Sequence, residues 1–194
     1  MSNIVHLLGP TCAGKSTLIN RLIAVAGDIV GAVEVGKMLR AKYLDPKSPH
    51  YQPDFFKGQA APQHTQAEAW QMYQDGVKRL AAEGKKIILV DGQPRDIQQA
   101  RDIIGLWHAP HRSIYLLIHA SEKVRAERAV ASRTGDSLDL ARARLKNDYE
   151  NCYNVMVELT KAGEVYRVLD STDLGSMDGL AELVLSDYGQ TGPV

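Results

Sequence analysis

Short apolar runs recur along the chain, separated by longer segments in which apolar residues return every three or four positions. Most of these runs hold aliphatic or β-branched residues at consecutive positions, which is typical of parallel strands covered by helices on both faces of a sheet. One run is weaker than the others, because Gly31 interrupts it. The predicted strands are Ile4–Leu8, Ile29–Val33, Ile87–Val90, Ile114–Ile118 and Val165–Leu169.

The segments between the strands have helical periodicity. Thr65 and Glu68 have the spacing of a capping box at the start of one helix, and Gly84 is its stop signal. A longer amphipathic helix is predicted from Ser137 to Lys161. Alternating strands and helices predict an α/β fold, a three-layer, doubly wound parallel sheet of about five strands in one domain over residues 1–194. The predicted apolar stripes are Trp70, Tyr73, Val77 and Leu80 in the first helix, and Leu138, Ala141, Leu145, Tyr149, Cys152, Met156 and Leu159 in the second.

Composition narrows the range of partners. Lys+Arg and Asp+Glu both number 23, so the net charge is zero and nothing favours nucleic acid or an anionic membrane as a partner. The chain shows no signal-peptide pattern and no apolar run approaching about 20 residues, which predicts a cytoplasmic protein. Cys12 and Cys152 are too few for a disulfide framework or a zinc site. Small size and neutral charge predict a monomer.

A phosphate-binding loop directly follows the first predicted strand. Residues 9–16 read Gly-Pro-Thr-Cys-Ala-Gly-Lys-Ser, which fits G-x-x-x-x-G-K-[ST] between a strand and a helix. Its glycines let backbone N–H groups curl around an anion, and the helix start adds partial positive charge. Lys15 can reach the β- and γ-phosphates of ATP, and the Ser16 hydroxyl can bind Mg²⁺. The predicted ligands of the ATP phosphates are Gly9, Thr11, Cys12, Ala13, Gly14, Lys15, Ser16 and Thr17.

Later segments carry a resemblance that runs over nearly the whole chain. They are Glu34-Val35-Gly36-Lys37-Met38-Leu39-Arg40, Lys57-Gly58-Gln59-Ala60-Ala61-Pro62, Asp91-Gly92-Gln93-Pro94-Arg95 with Gln99 beyond it, and Arg133 with Arg144-Leu145. In order and spacing they resemble the motifs of the adenylate kinase family of nucleoside monophosphate kinases. The segment from Asp91 to Arg95 is the most specific match, because it follows a buried strand.

The resemblance implies two phosphate sites that face each other. Arg40 and Arg95 would clamp the acceptor phosphate, since guanidinium groups bind phosphate bidentately. Asp91 would hold a Mg²⁺-bound water, although its position also suits the N-cap of a helix. Gln99 would hydrogen-bond the acceptor base. The residues implied in monophosphate binding are Val35, Gly36, Arg40, Gln59, Ala61, Gly92, Gln93, Arg95 and Gln99. Those implied in catalysis are Lys15, Arg95, Arg128, Arg133 and Arg144.

The chain departs from the family at the acceptor pocket and at the lid. Val35, Lys37 and Gln93 stand where the family usually has threonine, aspartate and an aromatic residue. With Gln99 retained, the expected acceptor is AMP or dAMP with altered selectivity. Residues 35–63 are the expected monophosphate-binding segment and residues 128–136 a short lid. Two other functions stay open: a P-loop kinase of another small acceptor such as shikimate or gluconate, and a regulatory protein that binds nucleotides without turnover.

Overall fold

The computed structural model describes residues 1–53, 65–106, 111–132, 138–173 and 177–189, without the side chains at positions 132 and 138–147. Within these ranges the chain forms five strands and seven helices. The strands are β1 (Asn3–Leu8), β2 (Val30–Glu34), β3 (Ile87–Asp91), β4 (Arg112–His119) and β5 (Tyr166–Asp170). The helices are α1 (Lys15–Ala26), α2 (Val35–Leu44), α3 (Gln66–Ala82), α4 (Ile97–Ile103), α5 (Glu122–Ser132), α6 (Leu138–Lys161) and α7 (Met177–Tyr188).

The five strands form one parallel sheet in the order β2-β3-β1-β4-β5, which confirms the predicted α/β class. β1 lies at the centre, and its residue Leu7 pairs with Asp91 at the end of β3. Because both strands end at the same edge, the loops that follow them lie side by side. This is also where the chain reverses its direction of travel across the sheet, the usual place for a ligand site in such sheets.

Helices cover both faces of the sheet, and alternate residues of β1 contribute to two separate cores. Ile4 and Leu8 pack with α2, α3, α4 and α6, whereas Val5 and Leu7 pack with α1 and α7 on the other face. All four side chains are at most 3% exposed. Burial of each such side chain contributes about 1.5–3 kcal/mol, so the central strand anchors the loop that follows it.

The glycine that weakens the sequence signal of β2 has a packing role. A Cβ atom at Gly31 would lie 2.7 Å from Leu80 Cδ2, which belongs to α3. A Cβ atom at Gly76 in α3 would lie 2.9 Å from both methyl groups of Val33. The two glycines therefore allow α3 to lie close against β2, and β2 forms despite the interruption.

The prediction that the last strand is buried on both faces is wrong. β5 begins at Tyr166, one residue later than predicted, and Val165 is 84% exposed. Val168 is 56% exposed, whereas Leu169 is buried. β5 is one of the two edge strands of the sheet, and its run of residues includes the charged Arg167. A partly apolar run can therefore reflect strand propensity without full burial.

The predicted capping box at the start of α3 is also wrong. Thr65 is the N-cap residue, but it forms no side-chain cap hydrogen bond. The carboxylate of Glu68 instead accepts hydrogen bonds from Lys42 Nζ and from Tyr43 Oη, the latter at 2.5 Å. Glu68 thus ties α3 to α2. The helix end was predicted correctly, because Gly84 adopts a left-handed conformation (φ 80°) just beyond it.

The long helix near the carboxyl end was predicted within one residue of its observed start. Along α6, Leu159 is buried and Cys152 and Met156 are partly buried against the core, as the predicted stripe requires. Tyr149, however, is 49% exposed, and Val155 rather than a residue of the predicted stripe is buried beside Leu159. Within the described ranges, no helix combines the length and the apolar composition needed to cross a membrane.

Candidate active site

The loop between β1 and α1 is shaped by two glycines in left-handed conformations. Gly9 has φ 131°, and a Cβ atom there would lie 2.3 Å from the carbonyl oxygen of Ile118 on β4. Gly14 has φ 101° and is the N-cap of α1, where no side chain caps the helix. The first amide groups of α1 therefore remain without a side-chain cap, an arrangement that suits an anion.

Lys15 folds back over the same loop. Its Nζ donates hydrogen bonds to the carbonyl oxygens of Gly9 at 2.7 Å and Pro10 at 3.1 Å. The same atom lies 3.9 Å from Asp91 Oδ1 at the end of β3. The side chains of Lys15 and Asp91 are 15% and 21% exposed, so this ion pair is shielded more than a surface pair. The ammonium group is thus fixed between the two loops.

The two hydroxyl residues after Lys15 are exposed in the first turn of α1. Ser16 and Thr17 both face solvent, and neither lines the cleft described below. Ser16 and Asp91 are the oxygen donors that a phosphate-bound Mg²⁺ could use. Across the part of the chain that the structure describes, no three His, Cys, Asp or Glu side chains gather into a metal site. Hard oxygen ligands and few protein carboxylates suit Mg²⁺ carried by substrate phosphates.

Two arginines meet beside a pair of glycines, one in α2 and one in the segment after β3. A Cβ atom at Gly36, in the first turn of α2, would lie 3.2 Å from Arg95 Nη2 and 3.5 Å from Arg40 Nη1. A Cβ atom at Gly92, which has φ 97°, would lie 3.3 Å from the same Arg95 atom. Among the described carboxylates, none forms an ion pair with Arg40 or Arg95. Two positive groups therefore stand together, as binding of a dianion requires.

The loop and Arg95 border one cavity of about 340 Å³, and Arg40 lies next to Gly36, which also lines it. Its floor is formed by the ends of β1 and β3, and its walls by the starts of α2, α3 and α4. One face of α6 also lines it. The residues that line it include Gly9, Thr11, Lys15, Val35, Gly36, Leu39, Ala69, Asp91, Gly92, Gln93, Arg95, Gln99, Asp148, Asn151 and Cys152.

The segment after β3 is held by its own hydrogen bonds. Asp96, not Asp91, is the N-cap of α4, since its Oδ1 accepts a hydrogen bond from Gln99 N at 2.8 Å. The N-cap alternative for Asp91 is therefore wrong. Gln99 Oε1 accepts a hydrogen bond from the backbone N–H of Arg95 at 2.7 Å. Because the oxygen is engaged, the amide nitrogen of Gln99 is the atom left to face a ligand.

Arg128 lies against the back of the loop rather than in the cavity. Its guanidinium group donates to the carbonyl oxygens of Cys12 at 3.4 Å and Ser171 at 2.7 Å. Ser171 is fully buried, and its hydroxyl donates to the carbonyl oxygens of Ala13 and His119. Arg128 thus joins the loop to the segment after β5, which in this structure is a supporting position.

Several residues implied in the site lie outside the described residues. Gln59, Ala61 and Arg133 fall in undescribed ranges, and Arg144 lies in α6 at a position whose side chain is not described. Their roles remain predictions. The predicted segments 35–63 and 128–136 are described only in part, over residues 35–53 and 128–132.

The structure adds α6 residues that sequence reasoning missed. The Thr11 hydroxyl donates a hydrogen bond to the carboxylate of Asp148, which joins the loop to α6. Cys152 lies one helical turn further along on the same face. Burial raises the pKa of its thiol, although the charge of Lys15 opposes the shift. The i, i+4 spacing of Asp148 and Cys152 was the available signal, but it does not say which element that face meets.

A fully buried histidine lies in β1, directly below the loop. The ring of His6 stacks on Tyr115 with a centroid distance of 5.1 Å and contacts Tyr73 at 6.0 Å. Within the described part of the chain, neither ring nitrogen has a hydrogen-bond partner. Burial lowers the pKa of His6 to about 4, although the nearby backbone of Gln93 acts in the opposite direction. The imidazole is therefore neutral at pH 7, and its role is structural.

The free energy of unfolding is expected to fall by about 2 kcal/mol more between pH 7 and pH 5 in the wild type than in a His6→Phe variant. The unfolded His6, with a pKa near 6.5, binds a proton in this range, but the folded one, with a pKa of about 4, does not. The stability is complete above pH 6.5 and is lost as the pH falls towards 4. Urea unfolding at both pH values measures it, and equal pH dependence in the two proteins would contradict the assignment to His6.

No protein-family model matches this chain, and no curated protein is significantly similar to it. The class of protein is therefore argued from the fold and the site. An all-parallel five-stranded α/β sheet with a glycine-rich loop at the carboxyl end of β1 is compatible with a P-loop-like fold.

Proposed function

We propose that the protein is an ATP-dependent nucleoside monophosphate kinase with a three-layer P-loop fold. It transfers the γ-phosphoryl group of ATP to a (deoxy)nucleoside monophosphate, with AMP or dAMP favoured, and acts as a cytoplasmic monomer. The observation that carries the proposal is that two cationic centres belong to one cavity. Lys15 on the glycine-rich loop and Arg95 both line it, and Arg40 meets Arg95 at Gly36.

Each of the two cationic centres binds one of the two substrates. The loop and the uncapped start of α1 bind the phosphates of the donor, which are polyanionic and match the exposed amide groups. The guanidinium groups bind the phosphate of the acceptor, which carries two charges. A simple nucleotide sensor needs only the first centre. The second centre therefore favours an enzyme with an anionic acceptor.

Transfer requires positioning more than covalent chemistry. The bond between the γ-phosphorus and the bridging oxygen of ATP breaks, and that oxygen keeps the electron pair in ADP. A new bond forms between the γ-phosphorus and an oxygen of the acceptor phosphate. Lys15 stabilises the charge that develops on the transferred group, and Arg95 orients the attacking oxygen.

A divalent cation would suit the site of the donor phosphates. When bound, Mg²⁺ neutralises charge on the β- and γ-phosphates. The Ser16 hydroxyl would hold it directly, and Asp91 would hold it through water. Asp91 already lies close to Lys15, so the carboxylate also keeps the ammonium group near the phosphates.

A coupled assay of ADP release tests the proposal. Purified protein with ATP and Mg²⁺ is expected to release ADP with AMP or dAMP well above its background without an acceptor. The panel includes GMP, CMP, UMP, dTMP, shikimate and gluconate. Turnover only with shikimate or gluconate would show a kinase of another acceptor. ATP binding with no turnover on any acceptor would favour a regulatory protein.

The arginine pair is tested in the same assay. Arg40→Ala and Arg95→Ala are each expected to lower kcat/KM for the monophosphate by about 10- to 100-fold, since a hydrogen bond to a charged group contributes about 1.5–3 kcal/mol. Arg79→Ala is the matched control, because that guanidinium group is exposed on α3 and pairs with Glu83 just beyond the helix. Unchanged kcat/KM in both cleft variants would place the acceptor phosphate elsewhere.

A further inference from the structure

Gln93 is a buried polar side chain on the wall of the cleft whose oxygen has no partner. It follows β3, is 3% exposed and lines the cavity. Its Oε1 is buried, and no residue that the structure describes donates a hydrogen bond to it. A buried carbonyl oxygen without a donor is destabilising, so native proteins rarely retain one unless a ligand or another group completes it. Because Gln93 lines the cavity, a ligand bound in the cleft is one source of the missing donor.

The surroundings of Gln93 in the cleft suit a flat, largely apolar group. Val35 and Leu39 of α2 and Ala69 of α3 line the same cavity and are 2%, 4% and 7% exposed. None of these three side chains can form a hydrogen bond. A heterocyclic base has two apolar faces and a polar edge, which matches a cavity lined by both apolar and polar side chains.

Gln99 limits what the polar edge of the base can be. Its Oε1 is occupied by the backbone N–H of Arg95, so it offers the cleft a donor. Gln93 offers an acceptor. A base that presents an amino group beside an unprotonated ring nitrogen satisfies both residues, as adenine does and cytosine does on its smaller ring. A carbonyl oxygen in place of the amino group would face Gln93 Oε1 with no hydrogen to share.

We propose that Gln93 Oε1 accepts a hydrogen bond from the exocyclic amino group of the acceptor base. This makes the protein selective for bases with an amino group, and adenine is the preferred one. The proposal rests on the nucleoside monophosphate kinase function argued above. It assigns base selectivity to a residue that touches the base rather than the reacting phosphates. Gln93 is a specificity-determining residue, and Arg95 two positions later holds the phosphate.

Three acceptors that differ at one position of the purine ring test the proposal. They are AMP, purine riboside 5′-monophosphate, which lacks the amino group, and IMP, which carries a carbonyl oxygen in its place. The wild type is expected to show a kcat/KM for AMP about 10-fold or more above that for each of the others. In Gln93→Met, which keeps the length but removes the amide, the ratio of AMP to purine riboside monophosphate is expected to approach one.

Two further variants separate recognition from folding. Gln93→Asn draws the oxygen back by one methylene and is expected to lower the same ratio. Gln98→Met is the matched control, because Gln98 is exposed on α4 and hydrogen-bonds Asp102 there. Its ratio is expected to match the wild type. A loss of stability with an unchanged ratio in the Gln93 variants would show that the residue only supports the fold, and would overturn the proposal.

The outcomes also distinguish failure of this proposal from failure of the proposed kinase function. Equal use of AMP, IMP and purine riboside monophosphate by the wild type would overturn the role of Gln93 and leave the kinase standing. A preference for IMP would show that the amide donates rather than accepts, which would also overturn it. If the protein phosphorylates none of the monophosphates, the proposed function itself is overturned.

Discussion

Replacement of Lys15 by methionine is expected to lower kcat by at least about 10²-fold while the protein remains folded. The loss matches the removal of one preorganised charge from a site where negative charge develops. Lys15 Nζ lies on the loop, within hydrogen-bonding distance of two of its carbonyl oxygens and near Asp91. Methionine has a similar length and leaves the apolar part of the side chain in place. The ADP-release assay at saturating ATP and acceptor measures the effect.

Two controls accompany this variant. Lys78→Met changes the same residue type at an exposed position on α3 and is expected to keep full activity. Thermal unfolding measures whether the variant keeps its stability, since Lys15 also donates hydrogen bonds to Gly9 and Pro10. Near-normal turnover in a folded Lys15→Met protein would contradict the assignment of residues 9–16 as a phosphate-binding loop. Loss of activity with loss of fold would be resolved by Lys15→Gln, which can still donate to the same carbonyl oxygens without the charge.

The central part of the fold was predictable because its signals are local. β1 and β3 are buried on both faces, and most of their residues are aliphatic, so the sequence pattern predicts both strands clearly. β5 is less apolar, since it contains Arg167, and it lies at an edge of the sheet. Arg167 was a local sign of exposure, but strand order itself was not predictable, because it depends on how distant segments pair.

The capping box fails for a related reason. Thr65 and Glu68 have the required spacing, but Lys42 and Tyr43 bind the Glu68 carboxylate from α2. A charged partner and a phenol hydroxyl compete with the single backbone N–H that a capping box would satisfy. The competing groups lie more than twenty residues away in the chain, at separations of 26 and 25. Spacing rules do not include them.

In the candidate site, too, some residues were predictable from local sequence and others were not. Lys15 and Arg95 belong to motifs with fixed local spacing, and the structure places both on the walls of one cavity. Asp148 belongs to no motif, yet it accepts a hydrogen bond from Thr11 across 137 positions of sequence. That contact depends on which face of α6 packs over the loop. Similarly, only the structure shows that Gln93 is buried with an unpartnered oxygen.

A single molecule that joins two adenosines through a polyphosphate is expected to bind at least about 10²-fold more tightly than ATP or AMP alone. One end would occupy the loop around Lys15, and the other would reach Arg40 and Arg95 across the cavity. Once one end is bound, the second contact is intramolecular, and the effective concentration of the free end replaces its concentration in solution. Isothermal calorimetry with ATP, AMP and the linked compound measures the gain.

The length of the linker makes this expectation specific to two facing sites. A series from two to six phosphates should show a maximum in affinity, because a short linker cannot span the cavity and a long one dilutes the free end. Arg40→Ala with Arg95→Ala should abolish most of the gain but leave ATP affinity unchanged, whereas Arg79→Ala should change neither. If the affinity of every linked compound equals that of ATP, the arginine pair does not face the loop as an acceptor site. Continuous growth of affinity with phosphate number, without a maximum, would instead indicate attraction of charge alone.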